Sequence, residues 1–178
     1  MKKTVIAAAC AMLAIGGIVR AQEGPPKPGP EHKKMEFFAG KWSVSGTQKA
    51  GPMGPAGPFT STDTCEMFEG GFALVCRSEG KGPAGPSKSL SVMSYDAGKK
   101  TYVYHGVESN MPAFTAFGNT TNGTWNWTSE QKMGTATMKS KVTITQTGPN
   151  GYDFIFEMAM DNGPFQQVVE AKATRSGT

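Results

Sequence analysis

The sequence predicts an all-β fold, a single antiparallel up-and-down barrel of about ten strands with one short N-terminal helix. Three observations support this prediction. Turn-forming residues recur about every ten residues after Gly40, apolar and polar side chains alternate between them, and one short segment alone has helical spacing. Sequential hairpins without helical crossovers indicate a closed or two-layered antiparallel sheet.

The first 21 residues have the pattern of a secretory signal peptide. Met1-Lys2-Lys3 gives a positive start, residues 5–19 form an apolar run, and Val19-Arg20-Ala21 is a small-x-small cleavage pattern. The run is shorter than the roughly 20 residues that a membrane-spanning helix needs. We therefore expect cleavage near Ala21, a periplasmic or secreted protein, and no membrane span in the mature chain.

Cleavage would also change the charge. Removal of Lys2, Lys3 and Arg20 lowers the count of Lys and Arg from 18 to 15, against 14 Asp and Glu, so the formal charge falls from +4 to +1. Nucleic-acid-binding domains carry a basic face and a high isoelectric point. The mature charge therefore argues against a nucleic-acid partner.

The elements follow in order along the chain. Residues 22–30 are rich in Pro and Gly and predict a flexible linker, and residues 31–178 form the barrel domain. Met35, Phe38 and Ala39 have helical spacing, and Gly40 follows at the position of a C-terminal cap. The predicted strands cover residues 41–49, 59–69, 72–80, 87–95, 101–108, 113–118, 123–130, 135–146, 152–160 and 165–175.

Strand parity predicts which side chains line the barrel, because successive side chains of a strand point to opposite faces. In the last strand, Phe165, Gln167, Val169 and Ala171 share the apolar face. A thioether and aromatic lining is the predicted ligand-binding surface: Met67, Trp125, Trp127, Phe154, Phe156 and Met158. A barrel of this size either holds a small ligand or is filled by its own side chains, and the sequence leaves both open.

The mature chain keeps one pair of cysteines, and export would place it in an oxidising compartment. If Gly70-Gly71 is a two-residue hairpin turn, Cys65 lies directly opposite Cys76 at a hydrogen-bonded position. Directly opposed residues have Cα atoms close enough for a disulfide. The spacing therefore predicts a cross-strand disulfide between Cys65 and Cys76.

Gly40-Lys41-Trp42, just after the helix, resembles the Gly-x-Trp motif of lipocalins and other calycins. In those folds the tryptophan closes one barrel end, and a basic residue of the last strand packs across its ring. The resemblance implies these structural roles for Trp42 and Arg175, paired by a cation–π contact.

Longer segments resemble the landmarks of domain of unknown function 1579, an uncharacterised bacterial secreted family of lipocalin-like barrels. They are residues 31–42, 69–72 and 95–102. The resemblance covers nearly all of residues 31–175. It implies a lipocalin-like barrel and no established activity.

Chemical motifs are scarce. The related nitrobindin-like proteins bind haem through a histidine on a late strand, whereas the two histidines here are His32 and His105. His105 is the remaining candidate haem ligand, and a lone strand histidine is more often packed or solvated. The sequence has no spaced zinc ligands, phosphate loop or nucleophile–base motif. We therefore expect no cofactor, no metal and no catalytic residue.

Two functions follow from these predictions. The first is an exported, non-enzymatic barrel that binds a small hydrophobic ligand in its interior. The second is an envelope or extracellular interaction module that uses the Gly-Pro loops at residues 51–58 and 82–86. Haem binding and an unrecognised enzymatic activity rank behind them, and the oligomeric state is not predicted.

Overall fold

The computed structural model describes residues 26–177, so the predicted signal peptide and the first four linker residues lie outside the described part. The domain begins with a short helix, α1 (Pro30–Met35), which continues as a 3₁₀ turn over Glu36–Phe38. Pro30 occupies the first helical position, where its missing N–H costs nothing. Within residues 26–177, no helix has the length and hydropathy of a membrane span.

Ten antiparallel strands form a closed barrel in which each strand pairs with its sequence neighbours and β10 pairs with β1. The predicted fold class is therefore confirmed. Their bounds are β1 (Gly40–Gln48), β2 (Gly57–Met67), β3 (Ala73–Gly82), β4 (Gly85–Asp96), β5 (Thr101–Glu108), β6 (Met111–Thr121), β7 (Thr124–Met133), β8 (Ala136–Gly148), β9 (Gly151–Met160) and β10 (Gln166–Arg175).

The two ends of the barrel differ. The helix end carries α1 and the loops at residues 68–72, 97–100, 122–123 and 149–150. The opposite end, called the far end below, carries the connections at residues 49–56, 83–84, 109–110, 134–135 and 161–165. The largest fully buried side chains all belong to the helix end: Met35, Trp42, Leu74, Tyr102 and Trp125. Large buried side chains contribute roughly 1.5–3 kcal/mol each, so this end is the stable core.

The predicted disulfide is confirmed, since Cys65 is bonded to Cys76. The predicted two-residue turn is wrong in detail. The pairing of β2 with β3 ends with a hydrogen bond of 2.8 Å from the Phe68 N–H to the Ala73 carbonyl. Within the loop, the Gly71 N–H donates to the Phe68 carbonyl at 2.9 Å. This longer loop places the cysteines at a non-hydrogen-bonded position, with Cα atoms 4.1 Å apart.

A bulge between Gln167 and Val169 changes the predicted parity of the last strand. Val169 still faces inward opposite Phe156, but Gln167 lies opposite Glu157 on the outer face. Phe165 is also outside, where the Lys141 ammonium lies 3.9 Å from its ring centroid. One extra residue in a strand reverses which of the residues beyond it point inward and which point outward. The alternation of apolar and polar residues in the sequence does not show where such a residue is inserted.

The wall of the barrel opens between β6 and β7. These strands pair at five positions only, from Phe117–Thr128 to Thr121–Thr124. Nearer the far end, β6 pairs with β5 and β7 pairs with β8, but β6 and β7 no longer pair with each other. The resulting gap, called the β6–β7 cleft below, interrupts an otherwise continuous sheet.

Candidate ligand-binding interior

The helix end is closed by Trp42 and Arg175, which are direct partners on β1 and β10. The Arg175 guanidinium carbon lies 4.3 Å from the centroid of the Trp42 ring, and its two terminal nitrogens donate to the Phe37 and Ala39 carbonyls. The Trp42 Nε1–H donates to the Phe38 carbonyl at 2.8 Å. These hydrogen bonds hold the segment after α1 against the end of the barrel.

Gly40 has a specific reason to be glycine. Its φ of +118° is one that L side chains rarely adopt, and an added Cβ would lie 2.6 Å from Arg175 Nη1. The Gly-x-Trp motif therefore makes room for the arginine that packs on its own tryptophan. The sequence pattern alone does not indicate this contact.

A buried tyrosine holds α1 on the barrel. The Tyr102 hydroxyl donates to the Glu31 carboxylate at 2.6 Å and lies 3.0 Å from the Glu31 carbonyl. Burial raises the pKa of Tyr102, and the hydrogen bond to Glu31 raises it further. The hydrogen bond from Lys34, followed by that from Tyr102, lowers the pKa of the Glu31 carboxyl.

The six residues predicted to line the interior all lie on the inner face, but at two depths. Met67, Trp125 and Trp127 pack into the core of the helix end. Phe154 packs against the same helix-end core, whereas Phe156 and Met158 lie further along β9 and pack with Met138. The structure therefore places four of the six residues in or against the filled half of the barrel and two in the far half.

The interior beyond the helix end is accessible. Phe154 and Phe156 point inward, opposite Ala171 and Val169 of β10, yet they are only partly buried. Val142, the partner of Phe156 on β8, is also partly buried. Inward-facing side chains in a close-packed core would be fully buried. Their partial exposure therefore indicates looser packing than in the helix end, although Met138, Met158 and Val168 are buried beside Phe156.

The opposite wall of this space is polar. Four direct partners on successive strands form one row across the inner face of β2, β3, β4 and β5: Asp63, Ser78, Ser89 and Glu108. Ser61 Oγ donates to Asp63 Oδ1 at 3.0 Å. The sequence prediction missed this polar row, although Asp63 shares the inward parity of Cys65, two residues later on β2.

Charge inside the barrel is disfavoured by its surroundings. Burial raises the pKa of Asp63, and hydrogen bonds from Ser78 and Ser61 oppose part of that rise. Burial also raises the pKa of Glu108. Burial is the main cause of the raised pKa values of Tyr104 and Tyr152, and the charge of Asp63 contributes to both. Asp63 therefore faces hydroxyls of β5 and β9 across the same interior.

The β6–β7 cleft is a pocket in the wall of the barrel. It has a volume of about 720 Å³. Gly106, Phe114 and Ser129 line it from the inner side, whereas Phe117 and Lys139 line it from the outer side. The cleft therefore passes through the wall of the barrel, on the side where Glu108 ends β5.

His105 lies on the outer face. It is exposed, and its Nδ1 is 2.9 Å from Thr115 Oγ1 on β6. This position does not suit a ligand of a haem inside the barrel. Within residues 26–177, no three His, Cys, Asp or Glu side chains are grouped so that they could share a metal ion.

The two Gly-Pro loops meet at the far end. A Cβ added to Gly57 would lie 3.0 Å from the Pro83 side chain, and one added to Gly54 would lie 3.6 Å from Ala84. The Gln48 side chain donates to the Pro55 carbonyl at 3.1 Å. The loops therefore form one ordered side of the far-end rim.

Residues 27–175 match the family described as "Protein of unknown function (DUF1579)". The chain belongs to the DUF1579 family. The resemblance drawn from Gly-x-Trp and the longer landmark segments is thus confirmed.

Two solved structures are similar to the DUF1579 chain. Rv2717c from M. tuberculosis is 11% identical, with a TM-score of 0.61 that covers 84% of this chain and 99% of that one. The S-type phycobiliprotein lyase CPES from Guillardia theta is 12% identical, with a TM-score of 0.53 over 83% and 93% of the two chains. At these identities the likeness shows the fold alone. No curated protein matches the DUF1579 chain.

The interior of the DUF1579 barrel is amphipathic. One wall carries the carboxylates and hydroxyls of the polar row, and the other carries Phe154, Phe156 and Val142. Apolar pockets with a few placed polar groups are typical of small-molecule sites. This arrangement can bury the apolar body of a ligand and orient its polar group.

Proposed function

We propose that this DUF1579 protein is an exported, non-enzymatic binding protein that holds a small hydrophobic ligand in the far half of its barrel. The observation that carries the proposal is the partial exposure of inward-facing aromatic side chains, Phe154 and Phe156, in a closed sheet. A ligand that covers apolar surface inside the barrel removes this surface from water, which favours binding.

Access to this space fits the proposal. The β6–β7 cleft has the size of a typical small-ligand pocket, about 720 Å³. The helix end is sealed by the Trp42–Arg175 contact and by α1, so a ligand would enter through the cleft or the far end. A barrel closed at one end keeps its ligand from passing through.

The interior polar groups support binding rather than catalysis. They are carboxylates and serine and tyrosine hydroxyls, and both histidines of the chain lie elsewhere. His105 is on the outer face, and His32 Nδ1 accepts a hydrogen bond from the Gly29 N–H at 3.0 Å. The serines of the polar row therefore have no histidine beside them to act as a general base.

Export is supported by the Cys65–Cys76 disulfide, because such bonds persist in oxidising compartments. We expect the full-length chain, expressed in a bacterial host, to be recovered from the periplasm with Gln22 as its first residue. N-terminal sequencing of the fractionated protein measures this. Recovery of an intact Met1 terminus in the cytoplasm would contradict the export proposal.

Ligand binding is tested with the neutral, environment-sensitive dye N-phenyl-1-naphthylamine. We expect the dye to fluoresce on binding to the wild-type protein, and the Phe156→Gln variant to bind it about tenfold more weakly, because apolar contact is lost inside the barrel. Ile155→Gln is the matched control. Ile155 neighbours Phe156 on β9 but lies on the outer face, opposite Glu170 and Thr143.

Near-ultraviolet circular dichroism of each variant shows whether the barrel remains packed. The proposal is contradicted if the folded wild-type protein does not bind the dye. It is contradicted equally if the Ile155 and Phe156 variants weaken binding to the same extent.

A further inference from the structure

Building on the proposed function, we infer that the ligand is a hydrophobic amine. Its protonated nitrogen lies at Asp63, and its apolar body lies against Phe154 and Phe156. The inference rests on how charge is divided between the two faces of the barrel and on the position of the two acidic residues on its inner face.

Positive charge is confined to the outside. Every lysine of the ten strands falls on the outer face, as its partner on the neighbouring strand shows: Lys41, Lys81, Lys88, Lys132, Lys139, Lys141 and Lys172. Arg77 pairs with the exposed Glu66. Arg175 donates to two backbone carbonyls and stacks on Trp42. In the described strands, no lysine therefore reaches the interior.

The inner face shows the opposite charge. It carries Asp63 on β2 and Glu108 on β5, whereas the other described strand carboxylates lie on the outer face. The two acids are three strand spacings apart, about 14 Å along the wall. They are therefore separate positions on the inner face, and the charges of both contribute to the raised pKa of Tyr104.

The two carboxylates are also unequal. Asp63 is the deeper one, because its direct partner on β1 is Trp42 at the sealed helix end. Two serine hydroxyls orient it, from Ser61 and Ser78. Glu108 ends β5 beside the β6–β7 cleft.

A buried carboxylate without a cation is costly, and an ammonium group that enters beside it removes much of that cost. The apolar wall across the cavity covers the hydrocarbon part of the same molecule. A fatty acid of equal size would instead bring a carboxylate toward Asp63 and Glu108, and like charges repel in a partly buried site. The cavity therefore favours an amine over a neutral or anionic amphiphile of the same length.

The test is displacement of N-phenyl-1-naphthylamine by three molecules with the same hydrocarbon chain: octylamine, octanol and octanoate. At pH 7.5 we expect octylamine to displace the dye at about a tenfold lower concentration than octanol, because a charged hydrogen bond is added to equal apolar contact. Octanoate is expected to be the weakest. Equal displacement by octylamine and octanol overturns the inference but leaves the proposed function intact, whereas absence of dye binding overturns both.

Three variants locate the amine site. Asp63→Asn is expected to abolish the preference for octylamine over octanol. Glu108→Gln is expected to reduce the preference only in part. Glu79→Gln, which removes an exposed partner of Lys88 on the outer face, is the matched control and should change nothing. A full preference in a folded Asp63→Asn protein overturns the inference.

A pH series on the wild-type protein provides a readout if Asp63→Asn does not fold. Asp63 faces Ser61 and Ser78, with Tyr104 and Tyr152 across the cavity, and both tyrosines stay protonated because their pKa values are raised. The interior carboxylates therefore control binding in acid. We expect the octylamine preference to disappear as pH falls through their raised pKa values. A preference that is constant with pH contradicts the inference.

Discussion

Asp63 is a residue whose surroundings oppose its own charge. Burial raises its pKa, and hydrogen bonds from Ser78 and Ser61 offset this in part. A carboxyl group with a raised pKa stays protonated in the folded protein at pH values where the unfolded chain has already released the proton. Its favourable contribution to stability is therefore present below the unfolded pKa, about 4, and is lost as pH rises through the higher folded pKa.

We expect Asp63→Asn to weaken this pH dependence. The variant cannot ionise at this position, so its melting temperature should fall less than that of the wild type between pH 4 and pH 7. Glu108 keeps its own raised pKa and should retain part of the slope. Thermal unfolding at a series of pH values measures the difference. If the melting temperatures of wild type and variant fall equally with pH, Asp63 is not desolvated in the folded protein.

The positions of individual residues could be predicted where a recognisable turn fixed which residues of a strand point inward. The pairing of Cys65 with Cys76 followed from counting back from one turn, and it held even though the turn has a different shape. The same parity places Asp63 inside, but a carboxylate at an inward position was not expected from the rule that charges are solvated. The role of Gly40 could not be predicted, because it depends on the position of Arg175 on a distant strand.

At the scale of elements, β1 and β10 close the barrel, and they approach each other closely at Gly46. A Cβ at this position would lie 2.2 Å from the Glu170 carbonyl oxygen and 2.6 Å from the Ala171 Cβ. Backbone atoms cannot move aside as a flexible side chain can. The two strands approach this closely because residue 46 has no side chain.

We therefore expect Gly46→Ala to lower the free energy of unfolding by about 1–3 kcal/mol, the usual cost of overpacking. Gly51→Ala is the matched control, since an added Cβ at Gly51 has no atom within 4 Å. Chemical denaturation of both variants measures the effect. Equal stability of the two would contradict the close β1–β10 contact.

All ten strands could be predicted because turn residues and alternation are local signals. Irregular positions could not, because they depend on which residues lie opposite. The bulges at Gly106/Glu108 and Gln167/Val169 and the separation of β6 from β7 arise from pairing between strands. The β6–β7 cleft was therefore absent from the sequence prediction.

At the scale of the whole molecule, the barrel is solid at one end and accessible at the other. Aromatic residues from the 3₁₀ turn after α1 and from β1, β5 and β7 fill the helix end, where the Trp125 ring centroid lies 5.3 Å from that of Phe38 and 4.7 Å from that of Tyr102. In the far half, the serines of the polar row line one wall, and a smaller buried cluster of Met138, Met158 and Val168 lies on the other. Sequence could not decide between a filled barrel and a cavity, because the result depends on summed side-chain volumes.

A crystal structure of the protein grown with octylamine tests the binding interior most directly. The account predicts electron density for one octylamine molecule in the far half of the barrel, with its hydrocarbon chain against Phe156 and its nitrogen within hydrogen-bonding distance of the Asp63 carboxylate. A barrel whose far half is filled by its own side chains, with the amine absent or bound on the outer surface, would contradict it.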